Sequence, residues 1–153
     1  MSNVTIYTDG ACDPNPGTGG WAAILIKGDH QKVLTGGQRD TTNNRMELTA
    51  AIEALRALTK PCTVTLFTDS EYVRNAIVLG WLKNWIKKGW RNSGGPVKNR
   101  DLWEQLLEQT GRHQIDWHWV RGHDADPLNN ECDRLAVEAR LRIARGGTVD
   151  SAG

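Results

Sequence analysis

Val4-Thr5-Ile6-Tyr7-Thr8 alternates apolar and polar side chains and is rich in β-formers, which predicts a strand running to about Cys12. Asp13-Pro14-Asn15-Pro16-Gly17-Thr18-Gly19-Gly20 reads as a turn by composition. Trp21 to Lys27 and Lys32 to Gln38 read as two further strands joined near Gly28-Asp29. Three strands with short connections predict an antiparallel meander.

The period then changes. Leu48, Ala51, Ile52 and Leu55 recur at helical spacing, with Leu58 continuing the apolar face. Thr41, Thr42, Asn43 and Asn44 are N-cap candidates, and Asn44 with Glu47 has the form of a capping box. Lys60-Pro61 stops this helix. Thr63 to Thr68 is a strand, followed by Asp69 and a short helix to about Gly80. Trp81 to Asn99 forms an arm broken by the loop Asn92-Ser93-Gly94-Gly95-Pro96. Asp101 to Gln109 is helical, and Gln114 to Val120 alternates as a strand with Trp117 and Trp119 on one side. Trp103, Trp117 and Trp119 are expected in the core. Asp126-Pro127 reads as an N-cap followed by an N1 proline, opening a last helix through Cys132, Leu135, Ala136, Ala139 and Ile143.

The order is βββ-α-β-α-(arm)-α-β-α. Strands that follow helices join a sheet in parallel by right-handed crossovers. The expected class is therefore α/β: a five-stranded mixed sheet with helices on both faces and a basic protrusion. One domain is expected over residues 1–145, with the arm at about 81–99 and a flexible tail over 146–153.

Composition adds limits. The chain has 153 residues and no apolar run near the roughly 20 needed to span a bilayer. Its opening residues lack a basic region followed by an apolar stretch, so a cytoplasmic location is expected. The cysteines, Cys12, Cys62 and Cys132, are odd in number and form no C-x-x-C pair, which argues against disulfides and zinc ribbons. Net charge is only +1. Between Tyr72 and Arg100, however, there are seven cations and no acid: Arg74, Lys83, Lys87, Lys88, Arg91, Lys98 and Arg100. A basic arm on an otherwise acidic body fits a polyanionic partner.

Four acids stand at chemically useful positions. Asp9 lies on or just past the first strand, Asp69 at the end of the fourth, Glu47 in the first turn of a helix and Asp133 on the last helix. Each alone has an ordinary explanation as turn, cap, helix-dipole partner or solvated side chain. Gathered in one place, such acids repel one another unless cations neutralise them. Sites of oxygen ligands suit magnesium or manganese rather than zinc. Two such ions about 4 Å apart are a usual device for in-line phosphodiester cleavage.

Several motifs then coincide in order and spacing. Thr8-Asp9-Gly10, Asn15-Pro16-Gly17, Gly19-Gly20, Thr42-Asn43-Asn44-Arg45-Met46-Glu47-Leu48, Thr68-Asp69-Ser70, Trp81 to Trp90, Pro96-Val97-Lys98-Asn99, and Gly122-His123 before Cys132-Asp133 resemble the type 1 ribonuclease H family over about residues 4 to 140. The resemblance implies a monomeric endonuclease that hydrolyses the RNA strand of RNA–DNA hybrids and leaves 5′-phosphate and 3′-hydroxyl ends. It implies two Mg²⁺ ions with substrate bound, Mn²⁺ being a possible substitute. Asp9, Glu47, Asp69 and Asp133 are the implied ligands, with Asp9 shared. His123 is the implied auxiliary histidine for proton transfer or product release.

The resemblance also implies substrate contacts. Asn15 and Asn43, with Asn44 beside them, would read the minor groove, where side-chain amides both donate to and accept from ribose hydroxyls. Thr42 and Asn99 match a pocket for a DNA phosphate. Trp81 would meet the DNA sugar-phosphate backbone, and Lys87 and Lys88 its phosphates. The sequence departs from the pattern at Asp40, where an arginine is common, with Arg39 next to it expected to point elsewhere, and at Glu71, where a glutamine is common. The Asp69–Trp81 stretch is one residue longer and the loop after Trp90 is shorter. Three rivals stand beside this reading: a hybrid-binding module without catalysis, a DNA-directed nuclease or recombinase domain of similar architecture, and a domain of a reverse transcriptase. The intact set of acids opposes the first, and the arm with its Thr-Asn-Asn-Arg-Met-Glu segment the second. The near-terminal first strand and finished last helix favour a free-standing enzyme over the third.

Overall fold

The structure is a computed structural model in which residues 1–120 and 126–147 are described. Three long strands open the chain: β1 (Ser2–Cys12), β2 (Gly17–Lys27) and β3 (His30–Thr41). They are followed by α1 (Asn43–Arg56), β4 (Cys62–Thr68), α2 (Glu71–Val78) and α3 (Trp81–Lys87). A two-residue-a-side hairpin, β5 (Arg91–Asn92) and β6 (Gly95–Pro96), completes the arm. Then come α4 (Arg100–Thr110), β7 (Gln114–Trp119) and α5 (Pro127–Ala144).

The main sheet has five strands in the order β3-β2-β1-β4-β7. The first three strands are antiparallel neighbours, whereas β4 joins β1 and β7 joins β4 in parallel. The mixed α/β architecture expected from the sequence is therefore the one observed. The predicted turn over 13–20 is shorter than composition suggested. β2 already begins at Gly17 and pairs with Thr41, with a register irregularity between Gly17 and Gly19. The ladder to β3 satisfies backbone groups that composition alone assigns to a loop.

Strand alternation divides the core between two faces. Val4, Ile6, Val64 and Leu66 join Leu48, Ile52 and Leu55 of α1 and Trp103 and Leu106 of α4 on one face. Tyr7, Ala22 and Ile24 join Cys132 and Ala136 of α5 on the other. Gly20 allows that second layer to close, because a Cβ there would lie 2.3 Å from the backbone nitrogen of Arg140. Trp103 is fully buried. Trp117 is only partly buried against the larger core, and Trp119 is likewise half-buried, since β7 is an edge strand. Cys12, Cys62 and Cys132 are free thiols. Among the described residues, no helix is long and apolar enough to cross a membrane.

Candidate active site

The parallel ladder between β1 and β4 runs in register to Tyr7 and Phe67 and stops there. Two residues further along each chain stand Asp9 and Asp69. Neighbouring parallel strands that separate at their carboxyl ends leave a crevice, and here both acids stand at it. The turn at Asp69 is fixed on both sides: the Ser70 N–H donates to Thr68 Oγ1 at 3.1 Å, and Ser70 Oγ accepts from the Val73 N–H at 3.1 Å as the cap of α2.

α1 brings the third acid. Its N-cap is Thr42, whose hydroxyl accepts from the Arg45 N–H at 3.2 Å, so the predicted Asn44–Glu47 capping box does not form. Glu47 consequently lies beyond the first turn and faces β1, where its Oε1 accepts from the Gly10 N–H at 3.1 Å. The same N–H also donates to Asp9 Oδ1 at 2.8 Å. This approach requires glycine at position 10. A Cβ there would stand 2.6 Å from the Glu47 nitrogen and 2.7 Å from the Met46 carbonyl carbon.

Asp9, Glu47 and Asp69 each offer an oxygen, and these atoms lie within 4.8 Å of one another. Asp9 is 2% exposed and Glu47 4%. Asp9 Oδ2 and Glu47 Oε2 are buried and lack any hydrogen-bond partner. Asp133 is exposed on α5 and borders the same crevice of about 360 Å³, together with Asn43, Asn44 and Tyr72. Burial, followed by the charge of Glu47, holds the Asp9 carboxyl far above the ordinary range, with Asp69 adding to the effect. Burial likewise raises Glu47, and the Asp69 charge adds to it. Acids forced this close in low dielectric retain protons or recruit a cation. An all-oxygen donor set with two orphaned buried oxygens fits a hard divalent ion.

The predicted substrate residues flank this crevice. Asn15 Oδ1 accepts from the Asn43 N–H at 3.1 Å, so the amide also closes the start of α1. Asn44 is exposed at the crevice. On the arm, Trp81 is 40% exposed and Lys87 and Lys88 are exposed, while Trp85 packs edge-on against the buried Trp103 at 5.7 Å. The arm tryptophans thus divide between a small core and the surface. Thr42 lines a groove of about 370 Å³ with Asp40 and Arg45, and Arg39 turns away to donate to the Gly147 carbonyl at 3.3 Å. Glu71 is exposed at the acidic crevice. His123 lies outside the described residues.

Two participants escaped the sequence reading. Arg45 forks Asp101 at 2.7 and 3.0 Å and also donates to Asn99 Oδ1 at 3.2 Å. Tyr72 accepts from Asn99 Nδ2 at 3.1 Å and from Trp103 Nε1 at 2.9 Å, and it borders both the acidic crevice and a groove beneath the arm. Arg45 stands in the Thr42–Leu48 motif and Tyr72 near Asp69, but nothing in the sequence indicates their partners.

The RNase H family model matches residues 1–140. Ribonuclease H of Hahella chejuensis is 61% identical over 137 residues, covering 89% of this chain and 92% of that protein. Ribonuclease H of Granulibacter bethesdensis is 58% identical over 139 residues, covering 90% and 92%. Among solved structures, a type 1 RNase H with the type 2 active-site motif superposes with a TM-score of 0.84 at 28% identity, over 100% of this chain and 76% of that one. An RNase H1 crystallised with an RNA/DNA hybrid has the same fold, with a TM-score of 0.68 at 18% identity, over 92% of this chain and 99% of that one. With its acids gathered at the sheet's open end and a family match that runs through all four of them, this chain belongs to the ribonuclease H family.

Proposed function

We propose that this endoribonuclease hydrolyses the RNA strand of RNA–DNA hybrids with two divalent ions, leaving 5′-phosphate and 3′-hydroxyl ends. The observation that carries the reading is the meeting of Asp9, Glu47 and Asp69 within 4.8 Å, with Asp9 Oδ2 and Glu47 Oε2 buried and unpartnered. Bound Mg²⁺, or Mn²⁺ in its place, supplies a more acidic water and charge stabilisation at the departing oxygen.

The residues divide that work. Asp9 and Asp69 would hold the ion that activates water, and Asp9, Glu47 and Asp133 would hold the ion that stabilises the leaving group. His123 moves a proton or assists product release. Asn15, Asn43 and Asn44 read the hybrid's minor groove, Thr42 and Asn99 hold a DNA phosphate, and Trp81, Lys87 and Lys88 meet the DNA strand. The catalytic unit spans residues 1–145 and acts as a monomer in the cytoplasm.

The test is cleavage of end-labelled RNA presented as matched hybrid, RNA duplex and single strand, with Mg²⁺ and with chelator. Cleavage confined to the hybrid and abolished by chelator is expected. Binding without cleavage would instead favour a hybrid-binding module.

A further inference from the structure

Asp69 is the least embedded of the three clustered acids, being half-buried where Asp9 and Glu47 are buried. It follows the last residue of β4, so its own carbonyl lies beyond the sheet ladder. That carbonyl accepts a hydrogen bond from Trp119 Nε1 at 3.3 Å. Trp119 is the last residue of β7 and pairs with Thr68, next to Asp69. The Val120 N–H donates to the Thr68 carbonyl at 2.8 Å, which extends the tie one residue further. The indole is held in turn by Arg74 of α2, whose guanidinium carbon lies 4.8 Å from the ring centroid. Arg74 therefore braces the ring, the ring braces the Asp69 backbone, and the Thr68 and Ser70 contacts fix the residues on either side.

We propose that Trp119 is a positioning residue for Asp69: its indole N–H, braced by Arg74, sets the backbone from which the Asp69 carboxylate reaches a divalent ion. This rests on the metal-dependent reading above. A ring that served only to fill space would do so equally well as phenylalanine. The positioning role instead depends on the N–H, because an unanchored carboxylate must be ordered when the ion binds. Arg74 provides a second, oppositely signed criterion. As a mere nearby cation it opposes metal binding, so its removal would tighten the ion. As a brace it supports binding, so its removal loosens the ion.

The experiment titrates Mn²⁺ alone into the intact protein by calorimetry, comparing wild type, Trp119→Phe and Arg74→Gln, with melting temperatures measured alongside. Trp119→Phe should weaken Mn²⁺ binding by about two- to tenfold, the scale of one lost hydrogen bond, and Arg74→Gln should weaken it less. In ¹⁵N spectra, the indole resonance that disappears in Trp119→Phe should move during a Mg²⁺ titration of the wild type. The resonance of the buried Trp103 should stay in place. Wild-type Mn²⁺ affinity in Trp119→Phe, or tighter binding in Arg74→Gln, would overturn the proposal. A wild-type protein that binds no Mn²⁺ would overturn the metal-dependent reading itself and take this inference with it.

Discussion

The rings of Tyr7 and Phe67 stack with centroids 4.6 Å apart and planes within 9° of parallel, across the last registered pair of β1 and β4. This contact fixes the two strands side by side just before they separate. Asp9 and Asp69 are each two residues beyond it. Strand periodicity therefore starts both acids from equivalent backbone positions, and α1 needs only to lay Glu47 against Gly10 to complete the cluster.

Asp9→Asn should remove nearly all cleavage of hybrid while leaving most of the binding, because Asp9 is the acid proposed to serve both ions. Cleavage rate and gel-shift affinity on the same hybrid separate the two effects. Full activity in the variant would sink the ligand assignment.

The metal-free protein should be most stable in mild acid. Asp9 and Glu47 titrate above the ordinary carboxyl range in the folded state, so the folded protein holds protons that the unfolded chain has released. Stability is then fully present below the unfolded carboxyl values, near pH 4, and falls as pH rises toward the raised folded ones. Urea melts between pH 5 and pH 8 should show this decline. Mg²⁺ should reduce it, as should Asp9→Asn. A rise in stability over the same interval without metal would contradict the electrostatic account.

Gly10→Ala should destabilise the protein by about 1–3 kcal/mol, the usual cost of overpacking. The added carbon meets backbone of α1 rather than a side chain that can swing away. Cleavage should fall as well, because the helix that must shift carries Glu47. Chemical denaturation and rate measurements on one preparation test both.

Replacing Lys87, Lys88 and Arg91 together by alanine should weaken hybrid binding and flatten its salt dependence. Each lost phosphate contact removes about 0.9 from the slope of log affinity against log salt on a B-form duplex. An unchanged slope would show that these exposed cations do not meet the polyanion.

Asp40→Arg should act in the opposite direction. Asp40 shares a groove with Thr42 and Arg45, and reversing its charge there favours an anion. Tighter hybrid binding with a steeper salt slope is expected. Weaker binding would place the phosphate elsewhere.

The sequence made the architecture legible because period-two and helical patterns are strong from Val4 to Ile143. It also made the acids legible, since Asp9 lies on the first strand, Asp69 directly follows the fourth, and their neighbouring motifs keep order. Local chemistry was harder to read. Four consecutive polar residues, Thr41 to Asn44, could each cap α1, and only the backbone conformation selects Thr42. The glycine- and proline-rich stretch before Trp21 looked like a turn throughout, because composition does not report the long-range pairing of Gly17 with Thr41. Arg45, Tyr72 and Trp119 remained hidden for a similar reason. Their partners Asp101, Asn99 and Asp69 are brought to them by tertiary packing, which leaves no periodic trace in the chain.

The docking of α5 on β2 at Gly20 has a consequence for the order of events during synthesis. β1, α1 and β4 supply Asp9, Glu47 and Asp69 early, whereas Asp133 arrives with the last helix. That helix is tied back to the first strand by the Tyr7 hydroxyl, which donates to Asp126 at 3.1 Å across 119 positions of sequence. Nearly the whole length of the sequence must therefore fold back on itself before Asp133 stands beside the three acids supplied earlier.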